Sequence, residues 1–374
     1  MTVLAPARIF DGRQFLTDHA VTIEEGRIAA VLPVAQAGPA TPLDGILAPA
    51  FLDLQVNGGG GLMVGGDTDV AALRHICTTH RRLGCAGVLP TLITDTPDAT
   101  AAVIAAGIRA VGTPGFLGLH LEGPHLDPHR PGAHDPALIR PMNADDLARL
   151  CDAACALPVL MVTLAPESAA PDQIAALSRA GAIVSLGHSD CDYDTARAAF
   201  AAGARCATHL FNAMSQMGHR APGLVGAVLA GNAQAGLIAD AVHVHPAAMR
   251  AALAARPEGI FLVTDCMGFA GTDLTEMTLQ GRQILRRDGR LTLADGTLAG
   301  ADLRMDRAIR VLVDQAGIAP EQALAMATWE PARAVGLSDE YGALRAGRRA
   351  DLVLLDDNLA LQSVWIAGRP VIPG

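Results

Sequence analysis

The sequence predicts an α/β protein: a closed (β/α)8 TIM-like barrel carrying a small β-sandwich made from the two chain ends. Three observations support this. First, eight near-continuous apolar runs recur through the middle of the chain: FLDLQVN, GVLPTLIT, FLGLHLEG, VLMVTLAP, IVSLGHS, ATHLFNAM, LIAD and FLVTDC. Second, alanine-rich helical stretches separate them. Strands that are apolar throughout, with a helix after each, are parallel and covered on both faces. Eight of them close into a barrel rather than an open sheet. Third, the ends read differently. Residues 1–47 are short alternating runs that turn at Asp11-Gly12 and Glu25-Gly26, and ADLVLLD and SVWIAG repeat the pattern near the C-terminus. The expected division is therefore 48–335 for the barrel, with 1–47 and 336–374 together as the sandwich. Residues 273–299 form an excursion after the eighth run, with RRDGR as a hairpin turn.

Composition narrows the function. With 374 residues, 51% of them hydrophobic, the chain can bury a large core. Its net charge of −10 argues against nucleic acid or an acidic membrane as partner. An anionic small molecule needs only a local positive patch. No run has the length and apolarity of a membrane span, and MTVLAPARIFDG lacks the order of a secretory signal. Seven cysteines, an odd number without a CxxC pair, read as reduced thiols of a cytoplasmic protein. All 28 basic residues are arginine. Alanine-rich, lysine-free composition is what a GC-rich genome produces, but it also excludes a Schiff-base lysine, a P-loop lysine and a carbamylated metal-bridging lysine.

Catalytic groups of a barrel sit where strands end and βα loops begin. Glu122 ends the third run, His188 ends the fifth, His209 lies on the sixth and Asp265 ends the eighth. Taken singly, each has an ordinary structural role, as a core histidine or a helix cap. Together they deliver two imidazoles and two carboxylates to one rim. Two imidazoles and a carboxylate suit zinc with a position left open. The remaining aspartate suits a general base. The chemistry these groups support is metal-assisted hydrolysis of an amide or related bond.

The ordered segments HLEGPHL, RPGAHDP, LGHSD, THLFNAM, IADAVHVHP, LVTDCMG and GTLAGADL, together with FLDLQVNGG, resemble the N-acetylglucosamine-6-phosphate deacetylase family of the amidohydrolase superfamily. The resemblance runs from about residue 45 to the C-terminus. It implies that Glu122, His188 and His209 bind the metal and that Asp265 is general base and acid. It implies that Ala133 and His134 meet the acetamido group or sugar, with His134 helping to polarise the carbonyl. Asn212 and Ala213 are expected at the sugar phosphate, Asp240 to His243 along the substrate, and Leu298, Ala299 and Gly300 over the acetyl end. Arg220 is expected to pair with phosphate across the interface of a homodimer. A guanidinium gives a phosphate a bidentate fork.

Members of the superfamily often carry His-x-His on the first strand. Here the equivalent positions are Gln55 and Asn57, which share one strand face. Carboxamides are poor zinc ligands beside imidazole, and no lysine is present to form a bridging carbamate. One divalent ion per subunit, zinc, is therefore expected. His120, His125, His219 and His245 read as structural or peripheral, and Cys266 as a spectator thiol. The expected reaction is release of acetate from N-acetyl-D-glucosamine 6-phosphate. The alternatives are the N-acetylgalactosamine 6-phosphate epimer, another N-acyl amide, or a non-catalytic sugar-phosphate binder.

Overall fold

The computed structural model describes residues 1–371. All eight predicted runs are strands of one parallel sheet: Phe51–Val56, Cys85–Ile93, Leu119–Glu122, Leu160–Leu164, Ile183–Leu186, Cys206–Ala207, Gln234–Leu237 and Ile260–Leu262. Each pairs with the next along the chain. The barrel closes beyond the end of the last strand. Val56 and Cys266 form a parallel bridge, the Asn57 N–H donates to the Cys266 carbonyl at 2.8 Å, and the Asp265 N–H donates to the Gln55 carbonyl at 3.0 Å. The closing seam thus runs through residues that the sequence places in the site.

The outer helices begin at side-chain caps. Asp69 accepts from the Ala72 N–H, Thr96 from Ala99 and Asp192 from Thr195, and Asn143 and Asp146 make a reciprocal capping box. Each such cap stabilises by about 0.5–2 kcal/mol. The helices bury their apolar sides on the sheet, as Leu73, Ile76 and Cys77 do in Val70–Arg82.

The barrel interior is more polar than the apolar strands suggest. His120 reaches the Leu54 carbonyl at 3.0 Å and the Thr163 hydroxyl at 2.7 Å. Thr163 meets Thr208 at 2.6 Å, and Thr208 meets Ser185 at 2.7 Å. Burial pushes the His120 pKa down to about 4, so the ring is neutral and belongs to this network, as its structural reading anticipated. A satisfied network of this kind stiffens the base of the site.

The chain ends meet in one mixed sheet. The N-terminal strands are Thr2–Phe10, Phe15–Thr17, His19–Glu24, Arg27–Pro33 and Thr41–Pro49, and the C-terminal ones are Leu352–Leu355, Leu361–Ile366 and Arg369–Val371. Thr41–Pro49 is the joint, parallel to Thr2–Phe10 and antiparallel to Leu352–Leu355. The sheet packs over its own apolar core, including Leu4, Ile9, Val21, Ile28, Leu47 and Leu352, and this is the small sandwich. Glu25 and Gly26, at φ 48° and 78°, make the tight hairpin expected there. The expected C-terminal segment ends in residues 372–374, which lie outside the described residues.

The excursion is a three-stranded antiparallel sheet: Glu276–Leu279, Arg282–Arg287 and Arg290–Thr292. Its second turn is the predicted Asp288-Gly289, and its first, Gln280-Gly281, was not anticipated. The excursion carries a small core of its own, with Met267, Phe269, Leu279, Ile284, Leu291 and Ala299 packed against Ala133 and Ile93 of the barrel mouth.

Candidate active site at the barrel mouth

Glu122 is the last residue of its strand, whereas His188, His209 and Asp265 lie just past the ends of theirs. The sequence reading put His209 on the sixth strand, but that strand ends at Ala207. The cause is local. His188, His209 and Asp265 have φ of 47°, 30° and 50°, a left-handed conformation that leaves the strand ladder. For residues other than glycine it costs about 1–3 kcal/mol each, and such strain gathers at functional sites.

Three ligand atoms converge as a result. The Nε2 atoms of His188 and His209 lie 3.2 and 3.1 Å from Glu122 Oε1 and 3.1 Å from each other. Donor atoms around a four-coordinate ion bonded at about 2.0–2.1 Å stand roughly 3.3 Å apart, so the triangle has the size of a ligand set. The His188 Nδ1–H donates to the Arg130 carbonyl at 2.8 Å. That bond leaves Nε2 of a neutral ring as a bare lone pair facing a carboxylate oxygen. Only a proton or a cation between them makes this arrangement favourable. Burial disfavours a charged Glu122, but the two imidazoles outweigh it and hold the carboxyl well below its usual range. Glu122, His134 and His188 also bring ligand atoms within 4.8 Å of one another. His134, however, has its Nδ1 committed to Thr94, so the set with His209 is the better fit for a divalent metal.

Asp265 faces this triangle from the closing seam. Its Oδ1 accepts from Asn57 Nδ2 at 2.8 Å and from Gln55 Nε2 at 3.1 Å. Gln55 Nε2 also stands 3.2 Å from Glu122 Oε2. The two carboxamides are thus hydrogen-bond donors that span the carboxylates. Burial, and then the charge of Glu122, push the Asp265 pKa up to about 6. A carboxyl that titrates near neutrality can both take and return a proton.

A cavity of about 260 Å³ opens over these groups. Of the sequence-predicted residues, it is lined by Ala133, His134, Asn212, Ala213, His243, Leu298, Ala299 and Gly300, beside Glu122, His188, His209 and Asp265. Burial above all lowers the His134 pKa to about 3, so the ring is neutral. Asp240 lies behind the cavity wall. Its Oδ2 meets His243 Nδ1 at 2.6 Å and its Oδ1 accepts the His243 N–H at 2.8 Å. It therefore orients His243 and does not line the cavity. Burial opposes its charge, but these bonds hold its pKa below the usual value. Arg220 is exposed and does not line the cavity of its own chain. Sequence reasoning missed Thr94, Met267, Leu279 and Arg282. Thr94 ends the second apolar run, so the rule that placed Glu122 could have found it. Arg282 carries no such signal; it reaches the Ala133 carbonyl at 2.7 Å from the excursion.

The model for the amidohydrolase family matches residues 46–371, and that for the NagA composite domain matches residues 1–41. N-acetylgalactosamine-6-phosphate deacetylase of Shewanella sp. (strain ANA-3) is 40% identical over 329 residues, spanning 87% of this chain and 83% of that protein. N-acetylglucosamine-6-phosphate deacetylase of Homo sapiens is 38% identical over 344 residues, with the same 87% and 83% coverage. The crystal structure of N-acetylglucosamine-6-phosphate deacetylase from Pasteurella multocida superposes with a TM-score of 0.94 at 31% identity, covering 99% of each chain. The full-length likeness in sequence and fold, together with a rim that converges Glu122, His188, His209 and Asp265, shows that the chain belongs to the amidohydrolase family, among the N-acetylglucosamine-6-phosphate deacetylases.

Proposed function

We propose that this protein hydrolyses N-acetyl-D-glucosamine 6-phosphate to D-glucosamine 6-phosphate and acetate. The observation that carries the reading is the triangle of Glu122, His188 and His209 with Asp265 beside it, in the floor of a cavity that His134 also lines. In this reading the triangle holds one divalent ion, zinc, which supplies Lewis-acid activation of water and of an acyl oxygen. The remaining steps belong to the chain. Asp265 takes a proton from the attacking water and returns it to the departing nitrogen, because an amide nitrogen leaves poorly unprotonated. Gln55 and Asn57 occupy Oδ1 of Asp265, which directs Oδ2 to this work. Neutral His134 donates to the acyl oxygen as charge develops there. Asn212, Ala213 and His243 line the sugar side, and Leu298, Ala299 and Gly300 close over the acetyl end.

Residues 48–335 carry the reaction in this reading, and residues 1–47 with 336–374 form the flanking unit. Arg220, exposed on its own chain, serves the phosphate in the site of a second subunit in this reading, which makes the active form a homodimer. The seven cysteines form no disulfide among the described residues, which supports the reducing cytoplasm as the compartment. No helix among the described residues is long and apolar enough to cross a membrane.

The second reading is the C4 epimer, N-acetylgalactosamine 6-phosphate, favoured by the 40% identity to the Shewanella enzyme. Acetate release from both phosphorylated epimers and from unphosphorylated N-acetylglucosamine, with zinc-loaded protein, separates the readings. The first expects the fastest release from the glucosamine epimer and little from the unphosphorylated sugar. Faster release from the galactosamine epimer selects the second, and release from none of them overturns both.

A further inference from the structure

We infer that Thr94 is a positioning residue for the reaction: it fixes His134 in the tautomer that carries its hydrogen on Nε2. Thr94 presents its hydroxyl and its backbone N–H to one ring nitrogen. Its hydroxyl lies 2.7 Å from His134 Nδ1, and its backbone N–H points at the same nitrogen from 3.2 Å. The backbone N–H can only donate, so it requires a bare lone pair on Nδ1. A hydrogen on Nδ1 would set two N–H groups against each other in a buried place, where such a mismatch costs about 1–3 kcal/mol. The neutral ring therefore carries its hydrogen on Nε2. His134 is 5% exposed and lines the cavity beside the metal-ligand triangle. Its ring packs edge-on against His188, with centroids 4.4 Å apart, which restricts rotation.

The excursion braces this arrangement. At the tip of its first hairpin, Gln280 Nε2 donates to the Thr94 carbonyl at 2.9 Å. Arg282 Nη2 donates to the carbonyl of Ala133, next to His134, at 2.7 Å. Two side chains of one hairpin thus hold the backbone on both sides of the Thr94–His134 contact. This gives the unanticipated Gln280-Gly281 turn a purpose: it hangs the roof of the cavity on the residue that sets the donor beneath it.

The inference rests on the deacetylase reading only for the oxygen that Nε2–H meets; the tautomer itself is a property of the free protein. The test is ¹⁵N-histidine NMR of the zinc-loaded, substrate-free protein, with His134→Gln to assign the signal, followed by kinetics on N-acetylglucosamine 6-phosphate. The wild type is expected to show His134 with hydrogen on Nε2 alone. Thr94→Val keeps the backbone donor, so the hydrogen should stay on Nε2, but it loses the shorter contact that holds the ring in place. It should lower kcat by about tenfold, less than loss of a whole oxyanion donor, with KM within about threefold. Thr94→Ser, which returns the hydroxyl, should restore kcat. Gln280→Ala, an exposed change outside the folded core, should lower kcat severalfold in the same direction. A wild-type signal with hydrogen on Nδ1 overturns the inference. So does a Thr94→Val protein with wild-type kcat and KM. A protein that releases no acetate yet shows the expected tautomers retires the substrate reading and leaves the positioning role standing.

Discussion

The two sides of the barrel mouth solve opposite electrostatic problems. On the side of strands three, five and six, ligand atoms crowd together: His188, with Nδ1–H given to the Arg130 carbonyl, and His209 both aim Nε2 at the same oxygen of Glu122. On the side of strands one and eight, negative charge is already met by N–H donors. Gln55 and Asn57 hold Asp265, and Gln55 also reaches the second oxygen of Glu122. The first side is favourable only with a proton or a cation among its three atoms, and the second side is satisfied without one. In the proposed reading one metal ion suffices for a rim without His-x-His and without lysine, because carboxamide hydrogen bonds hold the carboxylates in place.

The largest expected effect comes from Asp265, which faces both sides. Asp265→Asn should keep zinc and sugar-phosphate binding, measured by metal analysis and calorimetry, and lose about 10²–10⁴-fold in kcat. Near-normal turnover would remove the proposed base. On the cation side, His209→Ala leaves a two-ligand remnant. Zinc retained after dialysis should fall well below that of the wild type, and acetate release should fall with it.

On the amide side, Asn57→Leu removes a donor that favours the charged form of Asp265. The base must be ionised to act, so kcat/KM falls as pH drops through its pKa. That acid limb should move to higher pH in the variant, with a smaller loss at pH 8 than at pH 6. An unmoved limb would separate the amides from the base.

The smallest expected effect lies deeper on the first strand. Asp53 is fully buried, and its pKa is pushed up to about 7, by burial above all and against the hydrogen bonds of Thr264. The unfolded chain ionises this group near pH 4, while the folded one keeps its proton until about 7. The folded state therefore binds more protons across that window, and stability falls as pH rises through it. Asp53→Asn removes the penalty. Its unfolding midpoint should exceed the wild type by a few degrees at pH 8 and match it at pH 4.

Much of this site was legible in the sequence. The strand count and the rim positions of Glu122, His188 and Asp265 follow from apolar runs that end in polar residues. His209 was found as a residue but misplaced by its strand, because a left-handed φ of 30° leaves no mark in an apolar pattern. Asp240 was expected to line the substrate and instead orients His243, since proximity in sequence does not say which of two neighbours faces the cavity. The polar barrel interior was hidden because threonine, serine and histidine, spaced singly along apolar strands, pair only across them. The hold of the excursion on Thr94 and Ala133 spans 186 and 149 residues, a separation that no local pattern reports.

One titration tests the central claim most directly. Metal-free protein is titrated with zinc while acetate release from N-acetylglucosamine 6-phosphate is followed. A cation side that needs one ion and an amide side that needs none predict activity rising in proportion to zinc and levelling at one equivalent per chain. Activity that keeps rising to a second equivalent would contradict the account, because the amide side would then be holding a metal ion.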